Sequence, residues 1–482
     1  MSFNNQNGQR SFIAKGLGHS VGLKLLLVCF LVLVMGIPTL FISAISFERV
    51  GRADAVTQEV SERYGGPQTL LGPVLHIPYG VKDKYGEFSA YRDYVIFPET
   101  GTVDIKDLQT TIRKLSLFKV PTYQADAHFA AKFVLPDRHE LEASGQVFFW
   151  EDALITIGLS DVRGLRDDVF LVYEAGEKRK FGPRGSPSTG KYHSTTTIDR
   201  NSGRTIINKF KPYGQFINTQ SMNVKVGDLL EGKSELSISA SLKVNGTDSL
   251  SIAPFAQTTK VNMKADWPHP GFKGNYPPLS HEINDNGFTA KWVVPYLARA
   301  MAASGEAGEL NLQALSSKAV SVKFVNPVNP YQNVNRALKY AVLFIGLVFL
   351  AYFLFETLVG VKVHAAQYVL VGLAQSVFYL LLLAFSEHIG FTLAFTLASG
   401  ATVCITSAYA GVVFGKSYTL KAGAVFVTTY GLLYVLLRIQ DFALMVGALA
   451  SFLAIAATMY LTRNVNWYQN SMDGDEAEAV HT

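Results

Sequence analysis

The sequence predicts an α-helical integral membrane protein of about six spans, with a large, mostly-β extracytoplasmic domain inserted between span 1 and span 2. Three observations predict it: a long uncharged run near the N-terminus, a charge-rich middle of 46–336 in which short segments alternate apolar and polar residues, and a stretch of 337–461 with few charges and several long apolar runs. Averaged over the chain, hydrophobic residues are 49% and charged residues 17%, ordinary values that conceal this division.

Span 1 is 25–45, which is 21 residues without a charge. As a helix it is about 31 Å long, enough for a hydrocarbon core of ~30 Å. Arg10, Lys15 and Lys24 precede it without an acid, whereas Glu48, Arg49, Arg52 and Asp54 follow it and nearly cancel. The positive-inside rule then places 1–24 in the cytoplasm and 46–336 outside it. Ala44-Ile45-Ser46 has the small-x-small pattern of a signal-peptidase site. The apolar run, however, exceeds the roughly 7–15 residues of a signal-peptide core, so an uncleaved anchor is expected.

The clearest strand of the β domain is Glu235 to Val244, where Leu236, Ile238, Ala240, Leu242 and Val244 alternate with polar residues. Asn245-Gly246 followed by a second alternating run at Ser249–Ile252 predicts a hairpin. Val320–Phe324, Phe129–Val134, Gln146–Trp150 and Leu154–Leu159 also read as strands, and helical periodicity is clear only at Ala53–Tyr64 and Tyr296–Ala303. Packed sheets with a few helices follow. Gly182–Gly190 reads as an exposed linker that separates two β lobes. The two cysteines, Cys29 and Cys404, both fall in apolar runs, so this domain has no disulfide framework and no thiolate metal site.

Five further runs can span: 337–357, 368–385, 391–415, 422–437 and 442–461. Alternation from an outer domain puts Lys362, Lys416, Lys421 and Arg463 on the inner side and only Arg438 in the outer loops, an independent check on the orientation. Both termini are then cytoplasmic, ending in an acidic tail over 462–482 (Asp473, Asp475, Glu476, Glu478), with Tyr460, Trp467 and Tyr468 suited to an interfacial belt. The net charge of +5 is not clustered, and no basic stripe interleaves with aromatics, so nucleic acid is not an expected partner.

Candidate site residues gather at the span ends. Glu356 closes the second span, where a carboxylate is costly unless paired; His364 is its candidate neighbour, and the bland alternative is an interfacial side chain reaching solvent. Ser386-Glu387-His388 joins two spans at the face that also carries Arg438, Gln440 and Asp441. Glu387, His388 and Asp441 could relay protons or hold a cation, or simply cap tightly connected helices. Gly411-Val-Val-Phe-Gly415-Lys416-Ser417 fails as a phosphate loop, by spacing and by context, and its glycines suit close helix packing. Ser280-His281-Glu282 lies in a loop-rich stretch without the second histidine of a zinc-protease motif, and His269 sits in a rigid Trp-Pro-His-Pro turn. No catalytic, metal or cofactor site is assigned.

Several blocks, in order over nearly the whole chain, carry a resemblance. They are Gly65-Gly66-Pro67-Gln68 with Gly72-Pro73-Val74-Leu75 and Pro78-Tyr79; Val120-Pro121-Thr122-Tyr123; Trp150 with Gly158, Ser160-Asp161 and Arg163-Gly164; and Asn245-Gly246-Thr247, Trp267-Pro268-His269-Pro270, Gly287-Phe288 and Trp292. Then come Pro327, Tyr331-Gln332, Arg336, Lys339-Tyr340, His364, Gln367-Tyr368, Ser386-Glu387-His388, Thr462-Arg463 and Trp467-Tyr468. Together they resemble the CreD family of inner-membrane, cell-envelope integrity proteins. The chain departs from it in having Gln440-Asp441 where the family has a Glu-Asp pair, and Arg113-Lys114-Leu115-Ser116-Leu117-Phe118 where the family has an Arg-Gly-Ile-Tyr-like stretch. The resemblance implies the inner membrane of a Gram-negative-type bacterium, a periplasmic domain and a role in envelope integrity under stress, with no catalytic residues to carry over.

Two functions compete. In the first the protein is non-enzymatic: the bundle anchors it in the lipid bilayer, and the outer domain binds or braces an unidentified envelope component, whether protein, glycan or lipid. In the second it is a transporter or lipid-handling protein using Glu356, Glu387, His388 and Asp441. A membrane hydrolase would need a periplasmic nucleophile or carboxylate pair that no spacing singles out.

Overall fold

Helix α1, Val21–Tyr64, is a single element of 44 residues. Its apolar part accepts Pro38 although the ring removes one backbone hydrogen bond, and Thr39 Oγ1 donates to the Gly36 carbonyl at 2.6 Å beside it. The computed structural model describes residues 21–463 except 83, 87, 143–145, 174–175, 184–195, 199–204, 208–219, 313, 326–329 and 440–441. They divide into a helical unit, Met1–Ala53 with Val328–Thr482, and a β unit, Asp54–Pro327. Helix α1 contributes to both.

In the helical unit α1 is joined by α2 (Pro330–Lys339), α3 (Ala341–Val359), α4 (Ala365–Ile389), α5 (Phe391–Phe414), α6 (Lys416–Arg438) and α7 (Ala443–Leu461). Among the described residues five helices, α1 and α3 to α6, are long and apolar enough to cross a membrane, and Met445–Leu461 is a shorter apolar helix. Single glycines link α4 to α5 and α5 to α6: Gly390 at φ 81° and Gly415 at φ 100°. Reversing the chain in one residue uses a left-handed backbone that side chains with a Cβ avoid. Gly411 alone of its pair packs a helix, because a Cβ there would lie 1.9 Å from Thr419 Oγ1; a Cβ on Gly415 would meet nothing within 4 Å, so the expected packing role is corrected to a turn. The α1–α3–α4 seam is also built on glycine: a Cβ on Gly372 would meet Met35 Cγ at 2.5 Å and Phe349 Cζ at 2.9 Å. Aromatic rings fill the centre, with Tyr352 stacked on Phe426 at 5.7 Å and Tyr368 edge-on to Phe349 at 5.6 Å.

The β unit is two packed sheets sharing one hydrophobic core. One sheet runs β16 (Pro270–Gly274), β20 (Val320–Phe324), β14 (Ser249–Ala253), β1 (Gln68–Lys82), β6 (Leu154–Leu159), β12 (Gln220–Lys225), β9 (Gly182–Pro183), with β2 (Phe88–Ile96), β5 (Gln146–Phe148) and β19 (Ser304–Glu306) attached around β1. The other runs β17 (Ser280–Asn284), β18 (Gly287–Val294), β15 (Thr258–Ala265), β3 (Thr100–Leu115), β4 (Phe118–Val134), β13 (Glu235–Thr247), β7 (Phe170–Tyr173), β8 (Glu177–Lys180). A small hairpin of β10 (Thr196–Ile198) and β11 (Thr205–Ile207) stands apart. The predicted alternation holds in β13, whose Leu236, Ile238, Ala240, Leu242 and Val244 are buried.

Four expectations are corrected. Asn245-Gly246 is no hairpin turn: β13 continues to Thr247, paired along β4, and the chain turns at Asp248 (φ 61°) to enter the other sheet as β14. Gly182–Gly190 separates no lobes, because strands on both sides of it belong to both sheets; its 184–190 portion lies outside the described residues. Ser280-His281-Glu282 lies in the edge strand β17 rather than in a loop. The helix at Tyr296 ends at Arg299, with Ala300 at φ 48°.

Candidate functional site

Three polar junctions hold α1, two in the helical unit and one in the β unit. The first is built on Glu356, in the last turn of α3. Its side chain is 8% exposed. Lys24 of α1 donates to Oε1, the Val363 N–H donates to the same oxygen at 2.9 Å, and Tyr368 Oη of α4 donates to Oε2 at 2.8 Å. A buried carboxylate with a cation and two neutral donors is satisfied, so its desolvation is offset. His364 does not meet it. It is the exposed N-cap of α4, where Nδ1 accepts from the Ala366 N–H at 3.2 Å and Gln367 Oε1 accepts from the His364 N–H at 2.9 Å.

The second junction lies at the other end of α4, with Glu387 about 29 Å along its axis from Tyr368. Glu387, its side chain 7% exposed, accepts from Tyr331 Oη of α2 at 3.0 Å and faces Arg49 Nε of α1 at 3.7 Å. Ser46 of α1, fully buried, donates to Asn335 Oδ1 of α2 at 2.6 Å. Desolvation, with the Glu387 carboxylate added, pushes the Tyr331 hydroxyl up to about 12. His388 is exposed, and Arg438 donates to Thr392 Oγ1 at 2.8 Å and to Tyr434 Oη at 3.0 Å. Gln440 and Asp441 lie outside the described residues, as do Trp467, Tyr468 and the acidic tail.

The third junction closes the C-terminal end of α1 in the β unit. Asp161 Oδ2 accepts from the Gly66 N–H at 3.0 Å and from Arg163 Nη2 at 2.9 Å, while Arg163 Nη1 donates to the Glu62 carbonyl of α1 at 3.2 Å. Gln68, fully buried, donates from Nε2 to the Asp161 carbonyl at 3.1 Å and the Asn245 carbonyl at 3.2 Å. Ser61 Oγ and Thr247 Oγ1 are 2.7 Å apart. Gly164 is required because a Cβ would sit 2.3 Å from the Asn245 carbonyl oxygen. The Arg163 guanidinium holds the Asp161 carboxyl below the usual carboxylate range; burial opposes this, and the Gly66 and Arg163 N–H groups add to it. Gly65-Gly66-Pro67-Gln68, Ser160-Asp161 with Arg163-Gly164, and Asn245-Gly246-Thr247, far apart in sequence, thus form one knot.

Sequence reasoning missed Lys24, Arg49, Tyr331 and Tyr368 as partners. The first two read only as topology charges; their positions flanking span 1, opposite carboxylates flanking later spans, are the available signal. Among the described residues no group of three or more His, Cys, Asp or Glu converges as a metal site would.

Fold and junctions together define a polytopic membrane protein with a two-sheet β domain inserted after its first span. The family described as Inner membrane protein CreD matches residues 20–468. Inner membrane protein CreD of Escherichia coli (strain K12) is similar to this chain at 30% identity over 452 residues, covering 92% of each. The chain belongs to the CreD family.

Proposed function

We propose that this protein supports cell-envelope integrity from the bacterial inner membrane without catalysing a reaction, with both termini cytoplasmic and the β domain in the periplasm. There the domain binds or braces an envelope component. The observation that carries the reading is the knot: family-signature residues fasten the end of α1 to the β domain instead of lining a cavity with titratable groups. The loop charges support the orientation, and Glu356 and Glu387 are each engaged by a cation of α1.

A transporter or lipid-handling protein is the second reading, favoured by the burial of both carboxylates at opposite ends of α4. A strain lacking its family member distinguishes the two, when complemented with the full chain carrying Glu387→Gln and His388→Gln. Bracing predicts full rescue under envelope stress, because the amide oxygen that Glu387→Gln introduces still accepts from Tyr331. Loss of rescue at normal membrane abundance would turn the assignment to transport.

A further inference from the structure

The β3–β4 ribbon outruns its sheet. On one side β15 pairs with β3 only as far as Leu108, and on the other β13 pairs with β4 only from Thr122 onward. Beyond these points the pairs Ile112↔Pro121, Arg113↔Val120, Lys114↔Lys119 and Leu115↔Phe118 have, among the described residues, only each other as strand partners. Two-stranded ribbons are marginal by themselves. One face is braced: Val120 is buried and the Arg113 guanidinium lies 3.8 Å from the centre of the Tyr64 ring. The opposite face and the tip are open, with Ile112 at 44% and Leu117 at 41% exposure and Lys114 and Lys119 exposed.

The open side has two features that the fold does not need. Lys114 and Lys119 stand directly opposite across the strands, where like charges repel. Neither has a carboxylate partner among the described residues, and the sequence from Leu108 to Ala125 contains no acid at all. Exposed apolar side chains flank the two ammonium groups. A local arrangement that opposes folding marks a site completed by something else. Phosphates would relieve the repulsion, and an apolar layer beneath them would cover Ile112 and Leu117. A soluble anion meets only the first need; an anionic bilayer meets both.

We propose that the β3–β4 tip is a docking finger for a phospholipid surface carrying anionic headgroups. This deepens the binding reading of the β domain by naming lipid as the component bound. Its test is done in vitro, so a failure removes lipid as the partner and leaves bracing to be judged by complementation.

The full chain, with Cys29→Ala, Cys404→Ala and Leu117→Cys, is labelled at 117 with a polarity-sensitive fluorophore and placed in phosphatidylcholine nanodiscs. Phosphatidylglycerol is supplied either in the disc or as added vesicles, which separates docking to its own bilayer from docking to another. The expected result is a blue shift in one arm, reversed by salt because the lysines are exposed. The Lys114→Glu variant should weaken the vesicle or disc response on the order of fivefold or more. It should melt at or above the parent's temperature, because a Lys–Glu pair replaces a repelling one. No shift in either arm would overturn the proposal, as would an undiminished shift in Lys114→Glu.

Discussion

At the scale of single residues, Glu356, a carboxylate that hydropathy singles out as expensive, is fully satisfied by its neighbours. Glu356 takes donors from α1, α4 and the turn between α3 and α4. Removing one partner of such a pair strands a buried charge, which costs on the order of 3 kcal/mol. Lys24→Met should therefore lower the thermal stability of the purified protein markedly, and Lys24→Met with Glu356→Gln should recover most of the loss. Equal losses in single and double variants would show that Glu356 is not satisfied through Lys24. Asp161 gives the pH dependence. Its pKa is depressed by Arg163, so its contribution is complete above the unfolded value of about 3.9 and is lost as pH falls through the lower folded value. Asp161→Asn should cost about 2 kcal/mol near neutrality and should make the β unit's stability less sensitive to pH below about 4, as followed by tryptophan fluorescence. Beyond the placing of Lys24 and Arg49 beside span 1, nothing in one sequence pairs these partners. Periodicity says which face of a helix is buried, and leaves open which neighbour meets it.

At the scale of elements, much was legible. Strand β13 was readable because its alternation has one buried face, and the apolar runs were readable because a bilayer requires about 20 residues per helix. The false hairpin at Asn245-Gly246 has a packing cause. Gly246 is there because a Cβ would lie 2.3 Å from Tyr123 Oη, and that hydroxyl donates to the Ser249 carbonyl at 2.8 Å. A glycine required by a neighbour's side chain looks, in sequence, like one required by a turn. Helix α1 makes the first element prediction. The small-x-small site at Ala44-Ile45-Ser46 lies inside a continuous helix, with Ser46 buried. Intact mass of the membrane-extracted protein should show span 1 retained; a chain beginning at Phe47 would refute this. The seam at Gly372 makes a second. Gly372→Leu should cost roughly 1–3 kcal/mol, and Met35→Ala in the same chain should return part of it, because Met35 occupies that space.

At the scale of the whole molecule, the architecture followed from the distribution of charge along the chain, and the family match agrees with it. The orientation is testable by labelling. A cysteine at Leu279, which is 76% exposed in the β unit, should react with a membrane-impermeant thiol reagent on spheroplasts, and one at Lys362 should not. Reversed labelling would overturn the topology, and with it a β domain that faces the envelope. The central claim is that the β domain carries the function and the bundle holds it in place. Its most direct test is complementation of a strain lacking its family member by a chain without 54–327, at matched membrane abundance and under envelope stress. The account predicts that the truncated chain inserts but gives no rescue, while the full chain rescues; rescue by the bundle alone would contradict it.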